Sequence, residues 1–159
     1  MKSSLKIGLG FGITSGALTT LGLMVGLYSG TNSALVVIGG ILTIAIADTF
    51  SDALGIHVSQ EFEDSNSTKE IWEATGYTFV SKLGMALSFI VPLLAFELKT
   101  AMIVGVCWGL AVLTWFSYYI AKSRGACPWH VVSEHVGIAI LVIVLTNYIP
   151  TLIISLLGY

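Results

Sequence analysis

The sequence predicts an all-α integral membrane protein with five transmembrane helices, its N-terminus in the cytoplasm and its C-terminus outside. Three observations carry that reading. Of the 159 residues, 55% are hydrophobic and only 10% are charged, and mean hydropathy is +0.90, a balance far from that of a soluble domain. A spanning helix needs ~20 largely apolar residues, and five such segments can be drawn, at roughly 7–28, 34–58, 76–96, 100–121 and 131–157. The basic residues are also one-sided. With the N-terminus inside, Lys2, Lys6, Lys69, Lys82, Lys122 and Arg124 fall on or near the cytoplasmic face, leaving Lys99 outside.

The chain reads as a single membrane domain over 1–159. Its start, "MKSSLKIGLG", has the charge of a signal peptide, but the apolar stretch continues past a signal core with no convincing cleavage site, so it reads as the first span. Gly12 and Gly16, then Gly22, Gly26 and Gly30, recur at four-residue spacing, which lets helix backbones approach closely. That face suits either packing against a neighbouring span or a homodimer through the first helix. The second span carries Asp48 and Asp52 in "AIADTFSDALG".

The polar stretch 59–75 is the one sizeable soluble feature and reads as a solvated acidic cytoplasmic loop. Its alternative role is a weak metal-collecting mouth built on Glu61, Glu63 and Asp64, since clustered like charge concentrates counter-ions. Pro92 and Pro150, in the third and fifth spans, each remove a backbone donor and can kink their helices.

Several function classes are disfavoured. With a net charge of -2 and no run of basic residues, nucleic acid is not an expected partner. Cys107 and Cys127 have neither disulfide nor metal-knuckle spacing and read as free thiols. "HVVSEH", His130 to His135, lacks the spacing of a zinc-protease motif. His130 and Glu134 share a helical face and His135 turns away by 100° or more, so an interfacial helix start, with Glu134 favouring the helix dipole, explains the segment. His57, near the end of its span, is explained by the same dipole. No set of nucleophile, base and orienting group is visible, so an enzyme is not expected.

The aspartates carry the chemistry. An ionised carboxylate in hydrocarbon costs at least ~2.5–3.5 kcal/mol, so Asp48 and Asp52 are expected to face the protein interior or a wet path. Positions four apart differ by about 40° around a helix, which lets both carboxylates meet one cation. Counted from Val58 at ~1.5 Å per residue, Asp52 lies roughly 9 Å deep and Asp48 roughly 15 Å. Paired carboxylates suit Mn²⁺ or Fe²⁺, and also Ca²⁺ or Mg²⁺. Because two adjacent acids repel, one is expected to hold a proton in the empty site, which would couple metal to proton exchange. The rival reading is a fixed ion pair between Asp52 and Lys82, about 10 Å inside the membrane by the same count.

These residues resemble a known family. "GALTTLGLMVGLYSG" in the first span and "IADTFSDALGIHVSQEFE" at the end of the second are similar to the vacuolar iron transporter family of five-helix proteins. The fifth span, with "LTNYI", is similar more loosely, and the third and fourth match in length and placement. The resemblance implies a homodimer exporting Fe²⁺ or Mn²⁺ from the cytosol in exchange for protons, along a path between the first helices of two subunits. This chain departs from the family pattern at the ligands. A first-span aspartate of the family falls on Ser15, a second-span methionine falls on Asp52, and Asp48 takes a position that is usually small. The family's glutamate-rich cytosolic metal-binding domain is reduced to the segment after Ser59. A divergent member is therefore implied, with Asp48, Asp52 and Ser15 as metal ligands and a preference moved toward harder ions by the loss of the thioether. The metal is cargo, with no permanent cofactor expected. The other reading is a non-transporting assembly or accessory protein whose aspartates are structurally paired. A compact chain without a targeting extension points to a prokaryotic cell membrane.

Overall fold

A computed structural model describes residues 3–63 and 67–158, and all their regular structure is helical. Six helices follow in order: α1 (Ser3–Thr31), α2 (Ala34–Glu61), α3 (Thr68–Ser88), α4 (Ile90–Ala95), α5 (Leu98–Ser123) and α6 (Pro128–Leu157). With α3 and α4 counted as one interrupted segment, Thr68–Ala95, five helical spans are long and apolar enough to cross a membrane. Exposed apolar side chains such as Phe50, Leu54, Ile103 and Leu145 clothe the outside, as an integral membrane protein requires.

Two expectations drawn from hydropathy need correction. The acidic segment 59–75 is mostly helix, because α2 continues through Glu61 and α3 begins at Thr68. A reciprocal cap starts α3: the Ser67 hydroxyl accepts from the Glu70 backbone N–H while the Glu70 carboxylate accepts from the Ser67 N–H. The third span therefore begins before residue 76. It also breaks at Phe89, where the chain leaves α-helical bonding before α4. Pro92 explains the position, since its ring crowds the Ser88 carbonyl and its nitrogen has no hydrogen to donate there. Pro150, by contrast, lies within an unbroken α6.

Connections are short and locally specified. Asn32 turns the chain at φ 47°, a conformation asparagine tolerates, and Ser33 caps α2 by accepting from the Val36 N–H. Gly125 adopts φ 68° between α5 and α6, and Pro128 then opens α6 at a position where no N–H is needed.

Helix α1 is the central element, packed on α2, α3, α5 and α6. Its glycines are used within the chain. A Cβ added at Gly12 would stand 2.8 Å from the Thr78 carbonyl oxygen, and one at Gly8 would stand 2.8 Å from that of Ala74, so α3 approaches backbone to backbone. Further along, Gly22 faces Val142 and Gly30 faces Pro150, both on α6. Within one chain the glycine face thus packs against α3 and α6. Polar side chains reinforce both contacts: Ser81 donates to the Gly8 carbonyl at 3.1 Å, and Ser29 donates to that of Asn147 at 2.7 Å. On the remaining side, Gly109 of α5 leaves room for Leu21, which is fully buried with Ala17 and Met24 in the apolar core.

Candidate functional site

Helix α2 turns Ile41, Ala45, Thr49 and Ala53 into the bundle, so Asp48 and Asp52 lie at the edge of its buried face. Their side chains are 27% and 21% exposed. Behind them Lys82 crosses from α3 and is buried almost completely, at 1% exposure. The small face of α1 permits this, because a Cβ added at Gly16 would stand 3.3 Å from Lys82 Cγ, tighter than an ordinary contact.

The ammonium of Lys82 sits between both carboxylates. It lies 2.5 Å from Asp48 Oδ2 and closer still to Asp52 Oδ2. The two contacts differ in kind. Lys82 donates an aligned hydrogen bond to Asp52, whereas Asp48 Oδ2 is buried and lies off the hydrogen-bonding directions, held by charge and proximity. Ser15 completes the cluster from α1: its hydroxyl accepts from Lys82 at 3.0 Å and donates to Asp52 Oδ2 at 2.6 Å. Thr49, next to Asp48 in the chain, buries its hydroxyl with no hydrogen-bond partner among the described residues.

All three residues expected as ligands, Asp48, Asp52 and Ser15, are therefore brought together. The fixed-pair expectation is realised in a broader form, since Lys82 meets both acids. In charge the cluster is one ammonium against two carboxylates, and one negative charge is left unmatched unless a carboxylate holds a proton. An unmatched charge at this burial is costly.

The acidic residues nearer the helix ends are arranged differently. Glu61 pairs with His57 on its own helix at 3.5 Å, Glu63 lies just past the end of α2, and Asp64 is outside the described residues. Among the described residues, no three His, Cys, Asp or Glu side chains converge as a metal site. His57 is held between helices as well, its Nδ1 3.0 Å from the Thr75 hydroxyl and its ring edge-on to Trp72. At the start of α6, His130 and Glu134 form an exposed i, i+4 pair at 3.3 Å. Glu134 lies beyond the first turn, so it answers His130 and not the helix dipole. Cys107 and Cys127 are free and exposed.

Sequence reasoning gave His135 no role, yet the structure turns it inward, 2.7 Å from the hydroxyl of fully buried Ser117 on α5. A signal was present. Val132, His135, Ala139, Val142 and Thr146 recur at alternating three- and four-residue steps, the spacing of an inward stripe.

Comparison with family models, curated proteins and solved structures found no match.

Proposed function

We propose that this protein is a proton-coupled exporter of a divalent transition metal, Fe²⁺ or Mn²⁺ in kind, with Asp48, Asp52 and Ser15 as the oxygen ligands. The observation that carries the reading is the buried Lys82 ammonium between two partly exposed carboxylates. Lys82 holds the seat a cation would take, and the cation arrives from the side on which the carboxylates are open. Its binding displaces the proton that balances the resting cluster, so metal and proton alternate at one place. In this proposal the N-terminus is cytoplasmic and the C-terminus outside, and the protein lies in a prokaryotic cell membrane. Two copies meet along the part of α1 left uncovered between α2 and α6, where Leu18, Leu23 and Leu27 line an open apolar groove of about 790 Å³.

A second reading has its own observation. Lys82 is almost wholly buried and bonded on three sides, as in a permanent structural pair, and a membrane assembly or accessory protein would need nothing more. Metal-driven proton flux in proteoliposomes separates the two. The exporter reading expects Mn²⁺ or Fe²⁺ to drive proton movement in the parent and not in Asp52→Asn. Absence of flux with every divalent ion tried overturns it.

A further inference from the structure

Short connections make successive spans antiparallel, so the α2–α3 and α5–α6 corners lie at the same end of the bundle. The two corners carry opposite charge. Around the first, the sequence holds Glu61, Glu63, Asp64, Glu70 and Glu73 against Lys69 alone. Around the second it holds Lys122 and Arg124, and the one acid, Glu134, answers His130 at 3.3 Å. Both basic side chains are exposed, and among the described residues neither reaches an acidic partner.

Aromatic rings lie directly below these charges. Trp115, Tyr118, Tyr119 and Lys122 recur at three- and four-residue steps along one exposed stripe of α5, opposite its buried Leu113, Phe116, Ser117 and Ala121. At ~1.5 Å per residue, Tyr119 stands roughly 4.5 Å and Trp115 roughly 10 Å deeper in the membrane than Lys122. Trp115 and Tyr119 are stacked with ring centres 6.3 Å apart. Gly125, at φ 68°, then turns the chain so that Trp129 at the start of α6 meets Tyr118 edge-on at 6.0 Å. Trp115 and Trp129 nevertheless remain 68% and 69% exposed, which leaves their faces to lipid. The dipole of α5 accounts for Lys122 in its last turn, but neither for Arg124 past the helix end nor for two exposed aromatic pairs.

We infer that the α5–α6 corner is a binding site for an anionic phospholipid, with Lys122 and Arg124 on the phosphate and the Trp115, Tyr119, Tyr118 and Trp129 rings along the glycerol and upper acyl chains. Basic groups over amphipathic rings match the order of charge and apolarity in such a lipid, whereas a soluble phosphate has no use for the rings. The acidic α2–α3 corner repels the same headgroup, so the lipid is held on one side of the bundle. This inference stands apart from the exporter reading, because it needs only that this end of the bundle meet a membrane surface.

The full chain in detergent micelles is titrated with phosphatidylglycerol or with phosphatidylcholine of the same acyl chains, and the lipid-bound fraction is read by native mass spectrometry. The parent should hold phosphatidylglycerol more tightly. Each basic residue removed should weaken that binding about fivefold, so Lys122→Gln and Arg124→Gln together should weaken it roughly thirtyfold and leave phosphatidylcholine unchanged. Lys99→Gln, an equal loss of charge at the other end of the bundle, should have no effect. If the double variant does not fold, Arg124→Gln alone must show the fivefold loss. Equal binding of the two lipids by the parent, no loss in the variants, or the same loss in Lys99→Gln would overturn the inference. So would release of phosphatidylglycerol by excess inorganic phosphate, which would mark a soluble-anion site instead.

Discussion

The two halves of α1 use one device, small residues at four-residue spacing, for different ends. In the N-terminal half, Gly8, Gly12 and Gly16 bring the α3 backbone so near that Lys82 reaches past α1 to the carboxylates of α2. In the C-terminal half, Gly22, Gly26 and Gly30 face Val142, Thr146 and Pro150 in an apolar contact that borders an open groove. The first contact encloses a charged cluster; the second is apolar apart from the Ser29 hydrogen bond to the Asn147 carbonyl.

The largest expected effect breaks the tight half at its charge. Lys82→Met leaves two carboxylates without their ammonium, and a loss of about 3–5 kcal/mol is expected in denaturant unfolding in micelles. Adding Asp52→Asn to the same chain should recover part of that loss, because one of the stranded charges is removed. No recovery would mean that Lys82 acts through its packed stem and not its charge.

A middle-sized effect tests the backbone approach. Gly12→Ala forces a Cβ toward the Thr78 carbonyl, so α1 and α3 must separate, and a cost of about 1–3 kcal/mol is expected from the shift in thermal unfolding. The matching change in the loose half is the smallest. At Gly26 an added Cβ would lie 3.5 Å from the Thr146 carbonyl oxygen, an ordinary contact, so Gly26→Ala should stay within about 0.5 kcal/mol or gain from helix propensity. Equal costs at the two glycines would erase the distinction between the halves.

Much of this was legible in the residues. Five spans follow from apolar length, and the inward turn of Asp48 and Asp52 follows from the cost of charge in hydrocarbon. Lys82 was recognisable as a partner from its depth alone. That it meets both acids was not, because its reach depends on how closely α3 approaches, which one helix does not encode. The glycine face was ambiguous for a related reason: the same spacing serves a neighbour in the chain or a second copy. Helical structure at Thr68–Thr75 escaped a hydropathy reading because Lys69, Glu70 and Glu73 offset the apolar signal of buried Ile71 and Ala74, although Ser67 and Glu70 spell its cap. His135 was discounted for turning away from Glu134, and that turn is what carries it to Ser117.

The central claim is that Lys82 and a divalent cation compete for one pair of carboxylates, and equilibrium Mn²⁺ binding in nanodiscs tests it most directly. Lys82→Gln should bind Mn²⁺ tighter than the parent, by about tenfold for each 1.4 kcal/mol of competition removed, and Asp52→Asn should lose binding. Equal affinity in the parent and Lys82→Gln, or binding retained in Asp52→Asn, would contradict it.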